Sequence, residues 1–114
     1  MHELGIVFHL IDLVEEVSAE NELTSVTRVT LELGEVSGVV GSYLDDCWKW
    51  AVARTDLMQN CELVVEETPA ITVCNSCGRT YRTVEHGKVC PHCGSPDTVL
   101  LRGNEIQLKE IEGG

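Results

Sequence analysis

Four of the six cysteines stand in two matching turns, Cys74-Asn-Ser-Cys77-Gly78 and Cys90-Pro-His-Cys93-Gly94, with twelve residues between Cys77 and Cys90. A C-x-x-C turn folds back so that two thiolates face one point. The glycine after the second cysteine lets backbone amides approach sulfur. Two such turns supply a tetrahedral set of four thiolates, a closed site whose role is structural rather than catalytic, and Zn²⁺ is the ion expected there. The gap is slightly shorter than the usual zinc-ribbon spacing, and it leaves room for a short hairpin built from Thr80–Val84 and the residues before Cys90. Two rivals stand beside zinc. Tetrathiolate iron fits because Cys90-Pro-x-Cys-Gly suits a rubredoxin-type knuckle. A redox dithiol belongs at a helix start after a strand in a βαβ setting, which neither turn has. Cys47 and Cys61 read as core thiols, one on a helix and one at the start of a strand.

A second set of donors lies at Met1-His2-Glu3. A free α-amine, the amide nitrogen of residue 2 and the His2 imidazole close two adjacent chelate rings. They place three nitrogens in one plane, and a Glu3 oxygen can add to the set. Tetragonal nitrogen-and-oxygen sites favour Ni(II) or Cu(II). Only a metal that gains from planar coordination drives the amide proton off, and Zn²⁺ does not. The bulk of His2 also blocks removal of Met1, which keeps the amine in place. By spacing alone, however, the signal is weak: a histidine at position 2 is usually an ordinary solvated residue. His9 is seven residues further along, about 10 Å on a helix axis, too far to share an ion with His2. His86 reads as a turn residue. His92 sits inside a knuckle whose four sulfur positions are filled, although it is the histidine for which a ligand swap needs least movement.

These groups need elements to position them. Leu4, Val7, Phe8, Ile11, Val14 and Val17 recur at intervals of three and four, one face of an amphipathic helix, with Leu10 and Leu13 widening the stripe as for packing on a sheet. Residues Val26–Leu33 alternate, Val29, Leu31 and Leu33 against Arg28, Thr30 and Glu32, and predict a half-buried strand. Gly34 to Ser42 reads as a loop, with Ser42 and Asp45 resembling a capping signal. A second helix is expected from Tyr43 to about Leu57, a second strand over Cys61–Glu67 and a third over Ile106–Ile111. The cysteine-rich segment falls between the last two strands. The expected fold is therefore α+β: a small sheet with two helices over residues 1–72 and 104–114, and a zinc-ribbon-like domain over residues 73–103 inserted before the last strand.

Composition narrows the function. The chain has 114 residues, 43% of them hydrophobic and only 4% aromatic, so the core rests on Leu, Val and Ile and no stacking platform for bases is visible. With 8 Lys+Arg against 19 Asp+Glu the net charge is −11, which repels phosphate backbones and anionic membranes alike. No apolar run approaches the roughly 20 residues of a membrane span and no basic n-region opens the chain, so a cytoplasmic protein with reduced thiols is expected.

Met1-His2-Glu3-Leu4 opening an amphipathic helix, Leu31-Glu32-Leu33-Gly34-Glu35-Val36-Ser37-Gly38 after it, and two C-x-x-C knuckles near the far end together resemble the HypA/HybF family of nickel metallochaperones across essentially the whole chain. The resemblance implies delivery of Ni(II) to the precursor of the [NiFe]-hydrogenase large subunit, in concert with a HypB-type GTPase. In some organisms such proteins also feed urease, which adds urease maturation proteins to the expected partners. It implies nickel ligands at His2, with Glu3 beside it and the Met1 amine contributing, and zinc ligands at Cys74, Cys77, Cys90 and Cys93. It also implies a carrier and not an enzyme. No nucleophile–base pairing, phosphate loop or open zinc site stands against that. The main alternative is a zinc-ribbon module for protein interaction or nucleic-acid binding, to which the knuckles alone would point. Such a nucleic-acid module should carry a basic stripe, and this chain has none. A rubredoxin-like electron carrier is the third reading, which the red colour of iron would reveal.

Overall fold

The computed structural model describes residues 2–114, apart from the side chain of His2. Helix α1 spans His2–Glu20 and packs against α2, Gly41–Val52. Strands β1 (Val26–Gly34), β2 (Glu62–Thr68) and β6 (Ile106–Gly113) form a sheet in the order β2-β1-β6. A second sheet, in the order β4-β3-β5, is made by β3 (Ile71–Cys74), β4 (Thr80–Arg82) and β5 (Thr98–Arg102), with a single helical turn α3 at Thr83–His86. The fold is thus α+β with two small sheets. No described helix is long and apolar enough to cross a membrane.

The chain divides into two compact units. The first comprises Met1–Leu31, Val39–Glu66 and Gln107–Gly114. Its core is aliphatic, as the composition requires: Val7, Leu10, Ile11 and Val14 from α1, Val26, Val29 and Leu31 from β1, and Leu44, Ala51 and Val52 from α2, all buried. Burying each Val, Leu or Ile side chain of this set contributes about 1.5–3 kcal/mol to holding the unit together. Trp48 joins them, and its indole N–H donates to the Cys61 carbonyl at 3.0 Å, so the one polar atom of a buried ring is satisfied. Cys61 is buried and Cys47 half-buried. Burial, followed by the nearby Glu62 carboxylate, pushes the Cys61 thiol up to about 11, which suits an inert core thiol.

Several local expectations give way in this unit. Phe8 lies in the apolar register of α1 yet is 45% exposed. Thr30 is buried, not solvent-facing, so β1 is covered on both faces there. The α2 helix stops at Val52, and the apolar Met58 that follows is buried from a turn. Ser42 makes no cap: Val40 takes the N-cap position without a side-chain bond, and its carbonyl accepts from the Leu44 amide at 3.1 Å.

The second unit comprises Glu32–Gly38 and Glu67–Ile106. The Glu35 carboxylate accepts from the Ala70 amide at 2.7 Å and lies 3.7 Å from the Arg82 guanidinium. Gly34 and Gly103 pack backbone to backbone here; a Cβ at Gly34 would come within 2.1 Å of the Gly103 carbonyl oxygen. The expected hairpin between Thr80–Val84 and the residues before Cys90 is not formed. Instead β4 pairs with β3, Thr72 opposite Tyr81, while Thr83–His86 turns helical. The second neighbour of β3 is β5, antiparallel, with Cys74 opposite Thr98.

Candidate metal centre

The two knuckles are built the same way. Cys74 ends β3, its amide donates to the Arg79 carbonyl at 2.9 Å, and the Gly78 amide returns to the Cys74 carbonyl at 2.8 Å. Cys90 repeats the pattern, its amide to Ser95 at 2.9 Å and the Gly94 amide back to Cys90 at 2.8 Å. Closing such a turn takes a left-handed residue, and Gly78 and Gly94 have φ of 76° and 77°. No other heavy atom lies within 4 Å of where a Cβ would stand at either one. Backbone conformation, not space, is what selects glycine.

These turns bring Cys74, Cys77, Cys90 and Cys93 together, with all four sulfurs within 4.8 Å of one another. Across the knuckles Cys74 Sγ lies 3.6 Å from Cys93 Sγ, and Cys77 Sγ lies 3.8 Å from Cys90 Sγ. A tetrahedron with metal–sulfur bonds of about 2.3 Å has edges of about 3.8 Å, so the donor set and its size both fit a tetrathiolate metal site. Cys74 and Cys90 are buried beside Tyr81, whereas Cys77 and Cys93 reach the surface. Tyr81 is itself fixed, its hydroxyl donating to the Gly87 carbonyl at 2.8 Å.

The electrostatics favour thiolate on one sulfur first. The Cys77 amide, then the Ser76 amide and the neighbouring thiols, lower Cys74 to about 7 against the opposition of burial. Cys93 moves the other way. The Ser95 amide favours its thiolate, but Cys74, burial, Cys90 and Cys77 together outweigh it and push the thiol up to about 11. The His92 amide donates to Cys90 Sγ at 3.4 Å. Without a cation four like charges cannot share this volume; with one, each thiolate has the partner it lacks.

Two links that the sequence did not announce tie the knuckles together. Ser76 Oγ and Ser95 Oγ lie 2.8 Å apart, and Asn75 donates to Asp97 through both its amide N–H (3.0 Å) and its side chain (3.2 Å). Only the polar residues inside the first knuckle and just after the second hinted at them.

The remaining described candidates do not converge on one point. Glu3 is half-buried in the first turn of α1. The Met1 amine and the His2 imidazole lie outside the described residues. His9 is exposed on α1. His86 faces Glu85 at 3.8 Å and stacks edge-on against Tyr81, and His92 is exposed. Among the described residues only the four knuckle cysteines converge as a metal-ligand group.

Comparison with known proteins agrees along the whole length. Residues 1–113 match the family described as hydrogenase/urease nickel incorporation, metallochaperone, hypA. The chain is 33% identical over 113 residues to the hydrogenase maturation factor HybF of Klebsiella pneumoniae, covering 99% of each. It is 32% identical over 112 residues to the hydrogenase maturation factor HypA of Geobacter metallireducens, covering 98% of each. The solution structure of the Ni metallochaperone HypA from Helicobacter pylori shares the fold, with a TM-score of 0.75 at 23% identity over 97% of this chain and 96% of that one. With its two sheets, its four-cysteine centre and this full-length match, the chain belongs to the HypA family of metallochaperones for hydrogenase and urease nickel incorporation.

Proposed function

We propose that this protein carries Ni(II) at its amino terminus and hands it to the [NiFe]-hydrogenase large-subunit precursor. A HypB-type GTPase works beside it in the cytoplasm, and urease maturation proteins are a further outlet in organisms that have them. The family is one of metallochaperones, not enzymes, so the task is to hold an ion selectively and give it up. In this reading residues 1–72 and 104–114 serve nickel, and residues 73–103 serve zinc.

The start of α1 at His2 is the observation that carries the proposal. The first four amides of a helix have no acceptor within it. The His2 amide can therefore give up its proton to a metal without breaking a helical hydrogen bond. The Met1 amine, the His2 amide and the His2 imidazole then supply a planar nitrogen set that favours Ni(II) over Zn²⁺, with the Glu3 carboxylate next in line. A site with so few protein ligands can be taken apart by a recipient.

Cys74, Cys77, Cys90 and Cys93 fit Zn²⁺ by their four sulfurs and the 3.6 and 3.8 Å separations between them. When bound there, zinc supplies a closed cross-link that holds the two knuckles together and offers no open position for exchange. The testing experiment is metal titration of untagged wild-type and His2→Ala protein. The variant should lose nickel and keep zinc and fold; nickel binding as tight as wild type would place the ion elsewhere.

A further inference from the structure

Three of the five aromatic side chains are exposed in a chain whose core is otherwise aliphatic: Phe8 by 45%, Trp50 by 46% and Tyr43 by 58%. Two of them touch. The Phe8 and Trp50 rings meet edge-on with centroids 6.1 Å apart, one from α1 and one from α2. Trp50 is also held by Arg54, whose guanidinium lies 3.6 Å from the ring centroid while Nη1 donates to the Trp50 carbonyl at 2.6 Å. The indole is thus held by two contacts and still open to solvent. A rigid, exposed aromatic loses little entropy on being covered, which is the property of an interface anchor. Tyr43 stands two helical turns from Trp50 on the same face of α2.

The rim is mainly acidic, with the Arg54 cation on the ring itself. Asp12 is one turn and Glu15 two turns along α1 from Phe8, and Asp46 is one turn from both Tyr43 and Trp50 on α2; all three are exposed. Of the nearby cations, Lys49 is paired with Asp45 at 3.1 Å and Arg54 lies on the Trp50 ring. From this we infer that the Phe8–Trp50–Tyr43 face is a docking surface for a partner protein that presents an apolar side chain ringed by Lys or Arg. A second copy of the chain is the wrong occupant, since it would set acidic rim against acidic rim at −11 each. The inference rests on the proposed transfer of nickel to a protein, and it places that encounter on α1, the helix that starts at the nickel-binding residues.

The two tryptophans make the test selective. Trp48 is 1% exposed and hydrogen-bonded, so acrylamide quenching of the untagged protein reports Trp50. The purified HypB-type GTPase and hydrogenase large-subunit precursor of the same organism are titrated in separately, at low and at high salt. The result expected is that one of them protects Trp50, that high salt weakens its binding, and that Phe8→Ala with Tyr43→Ala weakens it about tenfold or more. Both residues are exposed, so truncation should spare the fold, and zinc content checks this. Asp12→Asn with Glu15→Gln, which leaves the aromatics untouched, should reduce the salt dependence. Protection of Trp50 by neither protein, unchanged binding by the aromatic variant, binding indifferent to salt, or protection by self-association would each overturn the inference. Nickel titration of the same samples separates the two readings. Nickel held with Trp50 unprotected sinks the docking surface alone, while nickel not held sinks the carrier reading and leaves the quenching result to judge the surface.

Discussion

Replacing Gly78 by alanine isolates one physical term at the metal centre. The backbone there has φ 76°, and an added Cβ would meet no other atom within 4 Å, so the substitution introduces left-handed strain and no clash. For an L-residue that strain is roughly 1–2 kcal/mol. It falls on the turn that the Gly78 amide closes onto the Cys74 carbonyl at 2.8 Å, and metal binding at such a site is coupled to folding of the turn. At about 1.4 kcal/mol per tenfold, zinc affinity should fall about 5- to 30-fold. Gly94→Ala, with φ 77° and the same open surroundings, should behave alike. Gly38→Ala is the control: its φ is 81° and its Cβ position is equally open, but it lies outside the knuckles. It should lose a similar amount of stability with zinc affinity unchanged. Gly78→Asn should recover part of the loss, because asparagine tolerates this conformation. Competition with a chromophoric chelator measures all four variants. Zinc affinity within twofold of wild type for both Gly78→Ala and Gly94→Ala would refute the argument that these turns shape the site.

Cys74→Ala should release stoichiometric zinc and open the knuckle segment to protease, since the remaining three sulfurs can no longer close the cage; metal analysis and limited proteolysis read both. Glu105 supplies a pH-dependent prediction. The Gly103 amide, which its carboxylate accepts at 2.8 Å, followed by its own amide, holds the carboxyl below its ordinary value of 4.5. A lowered pKa adds stability above the unfolded value and loses it as pH falls through the folded one. Melting temperatures of wild type and Glu105→Gln should therefore differ at neutral pH and converge as pH drops below about 4.5; a gap independent of pH contradicts this.

The elements with strong periodicity were legible from residues alone. Val7, Ile11 and Val14 mark α1 because their three- and four-residue spacing survives into the buried face, and Val29, Leu31 and Leu33 mark β1 for the corresponding reason at spacing two. Phe8 breaks the rule because register identifies an apolar position without saying whether the same molecule covers it. Strands β3 and β5 were missed since four- and five-residue segments, one ending in a metal-type cysteine, carry no pattern of their own; pairing across 24 to 31 residues makes them. The knuckle cysteines were readable because each pair is local. Their supports, Ser76 with Ser95 and Asn75 with Asp97, were not, being contacts between residues 19 and 22 apart. Glu35 belongs with them, since its partner amide at Ala70 lies 35 residues away.

The carrier reading turns on a nitrogen that no side-chain substitution reaches. Adding one residue before Met1 converts the terminal amine into an amide and removes it from the first chelate ring, while His2 and Glu3 keep their side chains and Val7, Leu10, Ile11 and Val14 keep their helical register. The decisive measurement is a nickel titration, followed by its visible absorption, of native-ended and one-residue-extended protein side by side. The native-ended protein should show the planar Ni(II) spectrum and the extended protein should lose it, with zinc and fold unchanged in both. Identical spectra and titrations for the two proteins would contradict an amine-bound nickel site at this terminus.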